Sequence, residues 1–182
     1  MKKVLIYLAD GFEEIEGLTV VDILRRGGVE VTTASINEKK TVKGAHGIIV
    51  YADAMAADVA AENFDGIVLP GGMPGTLNLK NNAKVCDDVK SLNKDGRLVS
   101  AICAAPTVLA HCGVLDGKRA SVYPGCEKEL AGAQYVERAI VRDGNIITGP
   151  GPGAALEFSL ALLSYLTDEA TAERIREDVV VL

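Results

Sequence analysis

The feature that most restricts how this chain can fold is a set of short apolar runs, separated by helix-length segments or turns. They read KVLIYL at 3–8, EVTTAS at 30–35, GIVLP at 66–70, LVSAI at 98–102, RASVY at 119–123 and NIITG at 145–149. Several are apolar throughout rather than at every second residue, the pattern of strands covered on both faces. Strands that alternate with helical segments predict an α/β fold whose largely parallel sheet lies between helical layers. Two stretches predict hairpins instead: TVKGAHGIIVYA, between Thr41 and Ala52, and YVERAIVRDGNIITG, with Asp143-Gly144 at its turn. The sheet is therefore expected to be mixed at one edge.

Helical patterns run from about Glu13 to Arg26, Asn82 to Asn93, Ala105 to His111 and Ala154 to Leu166, and again from Thr167 onward. In the first, Phe12, Ile15, Leu18, Val20, Val21, Ile23 and Leu24 fall around most of the circumference at about 100° per residue. Such a helix needs cover on more than one side, which a second copy of the chain or deep burial in the monomer would each supply. The 182 residues contain no linker and no internal repeat, so one domain spanning 1–182 is expected.

Composition removes several function classes. The net charge is -6 and the basic residues are scattered, which leaves no patch for a nucleic-acid backbone. The apolar runs are too short to span a bilayer, and MKKVLIYLADGFEE turns acidic before a cleavable leader could form, so a cytoplasmic location is expected. Cys86, Cys103, Cys112 and Cys126 make no C-x-x-C pair and only two histidines accompany them, a poor set for a metal; reduced thiols are expected.

Three small-residue junctions each follow a strand candidate: LADGFEEIE, LPGGMPG and TGPGPG. Ligands of open α/β sheets bind outside the carboxyl ends of the strands, so these loops are expected to share a crevice with Cys103. Cys103 sits where LVSAI passes into a helical pattern, flanked by Ala101, Ala104 and Ala105, as on a nucleophile elbow. A helix N-terminus there is expected to lower the thiol pKa; the competing reading is a cysteine that fills the core. Neither histidine suits the role of base. His111 lies at the far end of the same helix, and His46 falls in a hairpin or loop as a surface or interface residue.

Carboxylates are the alternative. Glu13 and Glu14 have the ordinary explanation of acids in a first helical turn. Glu16 falls on the wheel between Phe12, Val20 and Ile23, where burial would raise its pKa and leave a proton to donate to a thiolate. The wheel is crowded, and the pattern alone does not exclude Glu14. Gly71 and Gly72 form a tight turn or, with the N–H of Ala104, an oxyanion hole. No Gly-Lys-Ser or Gly-Lys-Thr follows to make a phosphate loop.

GFEEIE, VLPGG, AICAAP and GPG, in this order and spacing, resemble the ThiJ/PfpI superfamily, in particular the branch with the parkinsonism-associated deglycase. The likeness covers nearly the whole chain. It implies a flavodoxin-like, class I glutamine amidotransferase-like three-layer sandwich with a nucleophile elbow, and usually a homodimer. By motif, Cys103 matches that family's oxidisable cysteine, Glu16 the carboxyl bonded to it, and Gly72 and Ala104 the oxyanion donors; Gly71, Tyr123 and Pro152 are expected to line the pocket. Two departures stand out. Tyr123-Pro124 replaces a histidine-proline pair, and Ala104 replaces the histidine that follows the cysteine in the peptidase branch, which argues against a peptidase.

The resemblance implies a cofactor-free, metal-free stress-response enzyme, a lyase or hydrolase of the glutathione-independent glyoxalase or deglycase type acting on small α-dicarbonyls. The alternative it allows is a redox-sensing or chaperone-like protein whose Cys103 becomes sulfinate without turnover.

Overall fold

In a computed structural model that describes residues 1–181, the chain opens with β1 (Lys3–Leu8), α1 (Glu14–Arg26) and β2 (Glu30–Ser35). A hairpin of β3 (Thr41–Lys43) and β4 (Ile49–Tyr51) and a short β5 (Ala54–Met55) follow. Next come β6 (Gly66–Leu69), α2 (Gly75–Lys80), α3 (Ala83–Lys94), β7 (Leu98–Ile102) and α4 (Pro106–His111). The last part holds β8 (Arg119–Ala120), β9 (Gln134–Tyr135), β10 (Val141–Asp143), β11 (Ile146–Gly149), α5 (Ala155–Leu166) and α6 (Glu169–Asp178).

Seven strands make one sheet in the order β10-β11-β7-β6-β1-β2-β5, parallel except for β10 at the edge. The apolar runs explain why it is covered twice. In β1, Leu5 and Tyr7 enter one core with α2, α3 and α4, while Val4, Ile6 and Leu8 enter the other with α1, α5 and α6. This is the flavodoxin-like three-layer sandwich. From β1 the chain builds outward through β2, then reverses to β6, β7 and β11, so the switch point lies between β1 and β6. Asn82 caps α3 by accepting the Val85 N–H, and Asp168 caps α6 by accepting the Thr171 N–H.

The girth of α1 is covered mainly from within: Val20, Ile23 and Leu24 are buried, while Ile15 and Leu18 remain exposed. Two expectations change. RASVY does not join the central sheet; only Arg119–Ala120 is a strand, paired in parallel with β9. The Ser121 N–H goes instead to Thr148 Oγ1 and the Tyr123 N–H to the Cys103 carbonyl, which carries this segment across the strand ends. The second hairpin is shorter than expected, with only β10 and β11 paired, because Val136 bonds to Ala120. Helix α2, which the sequence did not show, follows directly on the turn LPGGMPG.

Candidate active site

The crevice lies at the carboxyl ends of β1, β6 and β7. Cys103 follows β7 directly and has φ +64°, a conformation costly for a residue with a Cβ, roughly 1–3 kcal/mol. Its neighbours hold it there. The Cys103 N–H donates to the Gly149 carbonyl at 2.9 Å, its own carbonyl accepts the Tyr123 N–H at 2.8 Å, and the Ala105 N–H returns to Ile102 at 3.1 Å. The result is a sharp elbow that aims the sulfur at the loop after β6.

Glu16, on the first turn of α1, is fully buried. Its Oε2 accepts the Gly71 N–H at 2.8 Å. Its Oε1 meets no hydrogen-bond donor, and the carboxyl lies beside Cys103. The approach requires glycine at 71, since a Cβ there would lie 2.6 Å from Cys103 Cβ and 2.9 Å from Glu16 Oε2. Gly72 is also confined: its φ is +91° and a Cβ would lie 2.4 Å from the Glu13 nitrogen. The Glu13 N–H donates to the Gly71 carbonyl at 2.8 Å, tying the two loops together.

Burial pushes Glu16 up to about 7, aided by the charge of Glu13 and opposed by hydrogen bonds from Gly71 and Cys103. Burial also pushes the Cys103 thiol up, to about 12, and the Glu16 carboxylate adds to this. The backbone N–H groups of Gly72 and Ala104 pull the other way. The helix end therefore does not leave a free thiolate, contrary to the sequence expectation: desolvation beside a carboxylate outweighs two N–H groups. Below about pH 7 the pair therefore holds two protons, and above it one, on the thiol.

Glu14 and His46 form a second arrangement, which the sequence did not reveal. Glu14 is buried and accepts the His46 N–H and Nδ1–H, both at 2.8 Å, and the Ile48 N–H at 3.4 Å. Burial raises its pKa, but these bonds prevail and hold it below the usual range; the same ring bond raises His46. First-turn enrichment is thus not the explanation of Glu14: it latches the β3–β4 hairpin to α1. Glu13, Glu14 and His46 also bring metal-type ligand atoms within 4.8 Å of one another. Both Glu14 oxygens are already occupied by the hairpin, so the group reads as a latch.

Tyr123 is half-exposed, and its ring lies beside Gly151. Pro124 and Pro150 line an adjoining cleft of about 360 Å³ with Ser121, Tyr135 and Arg138. Pro152 opens the turn Pro152–Ala154 and does not line that cleft.

The sequence model of the DJ-1/PfpI family matches residues 2–165. The chain belongs to the DJ-1/PfpI family. Protein DJ-1 homolog A of Arabidopsis thaliana is 42% identical over 96% of this chain and 45% of its own length. The chain thus spans less than half of that relative and of its homolog B. A Pyrococcus abyssi protein named as a deglycase is 36% identical over 83% of this chain and 91% of its own. The crystal structure of Drosophila melanogaster DJ-1beta superimposes with a TM-score of 0.96 at 38% identity, covering 100% of this chain and 98% of that one. As a DJ-1/PfpI member the chain has the elbow and crevice that its sequence resemblance implied. Among the described residues no helix is long and apolar enough to cross a membrane.

Proposed function

We propose that this chain is a cofactor-free stress-response enzyme that converts small α-dicarbonyls to hydroxy acids by a glyoxalase- or deglycase-type reaction at Cys103. The observation that carries this reading is the Glu16 carboxyl, fully buried beside Cys103, with its Oε2 on the Gly71 N–H. A buried acid whose pKa lies near neutrality can both accept and return a proton. The deglycase name of the Pyrococcus relative supports the same class.

With methylglyoxal, the Cys103 S–H passes its proton to Glu16 and the thiolate adds to the aldehyde carbon. The N–H groups of Gly72 and Ala104, which lower the Cys103 pKa, receive the oxyanion as it forms. Glu16 returns the proton to that oxygen and is again a carboxylate. It then carries the C1 proton to C2 through an enediol, leaving a lactoyl thioester on Cys103. Water hydrolyses the thioester, giving lactate and the free thiol. The net reaction is methylglyoxal plus water to lactate, with no external oxidant or reductant.

Steady-state assay of wild type and Cys103→Ser with methylglyoxal tests the proposal. Lactate formation by wild type and its loss in the variant are expected. A wild type without turnover would overturn it and favour redox sensing, for which the same two N–H groups would stabilise a Cys103 sulfinate.

The proposed assembly is a homodimer. The Glu14 latch sets the exposed Ile48, Ile49 and Tyr51 of the hairpin beside the exposed Ile15 and Leu18 of α1, an apolar patch suited to a second copy. Light scattering at micromolar concentration is expected to give twice the chain mass, and Ile15→Asp with Ile49→Asp to give the monomer. A wild-type monomer would refute the assignment.

A further inference from the structure

Three arginines that are well separated in the sequence come together at the antiparallel edge of the sheet. Arg119 stands on β8, Arg142 on β10 and Arg138 in the segment between β9 and β10. With Val136, Ile140 and Val141 they line a hollow of about 280 Å³. No acidic side chain lines it, although the chain as a whole carries a net charge of -6. Two of the three are held in place. The Arg142 guanidinium stacks on the Tyr165 ring of α5, 4.6 Å from its centroid, and its Nε donates to the Gly144 carbonyl at 3.3 Å. Arg119 Nη2 donates to the Arg142 carbonyl at 3.3 Å, and Arg119 Nε lies 3.7 Å from Asp143, an acid outside the hollow that it shares with Lys118. Among the described residues Arg138 and Arg142 form no ion pair. Val136 and Arg138 also line the cleft of about 360 Å³ beside Tyr123, whose walls include Pro124, Tyr135, Ala139 and Pro150 and whose one acid is Glu137. The hollow and the cleft therefore meet at Val136 and Arg138.

We propose that this hollow binds the phosphate group of a small organic phosphate monoester whose apolar body lies in the adjoining cleft. Charge decides for phosphate. Asp143, shared with Lys118, offsets Arg119 only in part, so Arg138 and Arg142 leave the hollow with two further positive charges that nothing in its lining compensates. A phosphate monoester brings nearly two negative charges at pH 7, a carboxylate only one. Without an anion the like charges repel one another, and a bound dianion turns that repulsion into attraction. Shape agrees with charge. Guanidinium N–H forks match phosphate oxygens in pairs, and three forks from three segments suit a tetrahedral group with three terminal oxygens. Tyr165 covers the face of the Arg142 guanidinium, and the donors lie in its edge, so the stacking fixes the side chain without using all its N–H groups. Part of the ordering cost of binding is thereby met in advance. Glu137 lines the cleft and not the hollow, so it repels an anion from the cleft and sets the direction of the ligand, phosphate among the arginines and apolar body between Pro124, Tyr135 and Pro150. Neither Cys103 nor Glu16 lines either cavity, which makes this site distinct from the proposed site of turnover.

The test is isothermal titration of the full chain with phenyl phosphate, inorganic phosphate and phenol. Phenyl phosphate is expected to bind once per chain, more tightly than inorganic phosphate and far more tightly than phenol, with an affinity that falls as salt is added. Arg138→Ala and Arg142→Ala should each weaken phenyl phosphate by about 10- to 100-fold, the loss of one charged hydrogen-bonding partner. Arg26→Ala, which removes an exposed arginine paired with Asp22 on α1, should leave the affinity unchanged. Arg138 is exposed and has no stacking partner, so its variant keeps the test open if Arg142→Ala does not fold. Absence of binding at millimolar phenyl phosphate, or an affinity that survives the Arg138→Ala change, would overturn the proposal. So would an equal loss in Arg26→Ala, the sign of diffuse attraction to any basic surface. Inorganic phosphate bound as tightly as phenyl phosphate would overturn the part assigned to the cleft. The readout is binding and not turnover, so failure of the dicarbonyl reaction would leave it unaffected.

Discussion

Glu16→Gln separates the chemical role of this carboxyl from its structural role. Glutamine has nearly the same shape, and the Gly71 N–H that now donates to Oε2 at 2.8 Å requires an acceptor. The amide oxygen therefore accepts the Gly71 N–H, and that buried hydrogen bond survives. Proton exchange does not survive, and dicarbonyl turnover is expected to fall by about 100- to 10,000-fold. Stability should move the other way. Burial raises Glu16 from 4.5 to about 7. Between these values the folded chain holds a proton that the unfolded chain releases, so wild-type stability falls as pH rises through this window and levels off above about 7. At about 1.4 kcal/mol per pH unit the full cost is about 3 kcal/mol. Glutamine carries no such cost. In urea unfolding the variant should be more stable than wild type by about 3 kcal/mol at pH 8, the advantage shrinking to nothing near pH 4.5. A pH-independent difference, or a variant less stable at pH 8, would refute the assignment of the buried acid. Full turnover in the variant would refute its catalytic role.

The remaining predictions concern the groups around it. Iodoacetamide should label Cys103 ahead of the other three cysteines, with Glu16 accepting the thiol proton, so that the rate rises as Glu16 ionises at about 7; in Glu16→Gln that rise should be lost, and an unchanged inflection would exclude Glu16 as the base. Gly71→Ala forces a Cβ to 2.6 Å from Cys103 Cβ, so thermal unfolding should show a loss of about 1–3 kcal/mol and turnover should fall with it. The hairpin latch has its own pH window. Glu14, lowered, contributes above 4.5 and is lost as pH falls through its folded value; His46, raised, contributes below 6.5 and is lost as pH rises through its own. Hydrogen exchange at the His46 and Ile48 amides should therefore be slowest between 4.5 and 6.5 and faster throughout in Glu14→Gln, an outcome a free hairpin would not give.

Local chemistry made much of this legible in the sequence. The unalternating runs around β1, β6, β7 and β11 announced a doubly covered sheet, because a strand buried on both faces has no polar side to show. The hairpin at 41–51 and the antiparallel edge were legible from turn residues. Helix α2 was not, since its six residues are too few to display a helical period, and RASVY was misread because its apolar side chains are indeed buried while its N–H groups are claimed by Thr148 and Cys103. Within the site, the wheel position of Glu16 and the small residues around Cys103 pointed to both groups. What the sequence determined by itself, then, is the layering, the loops at the strand ends and the residue types gathered there, all set by hydrophobic period and turn chemistry within a few residues. Only the tertiary structure decided the protonation of the Cys103–Glu16 pair, the Gly71 N–H that orients it and the Glu14–His46 latch. Each depends on desolvation or on a hydrogen bond between segments far apart in the chain, and neither is a property of a local stretch of residues.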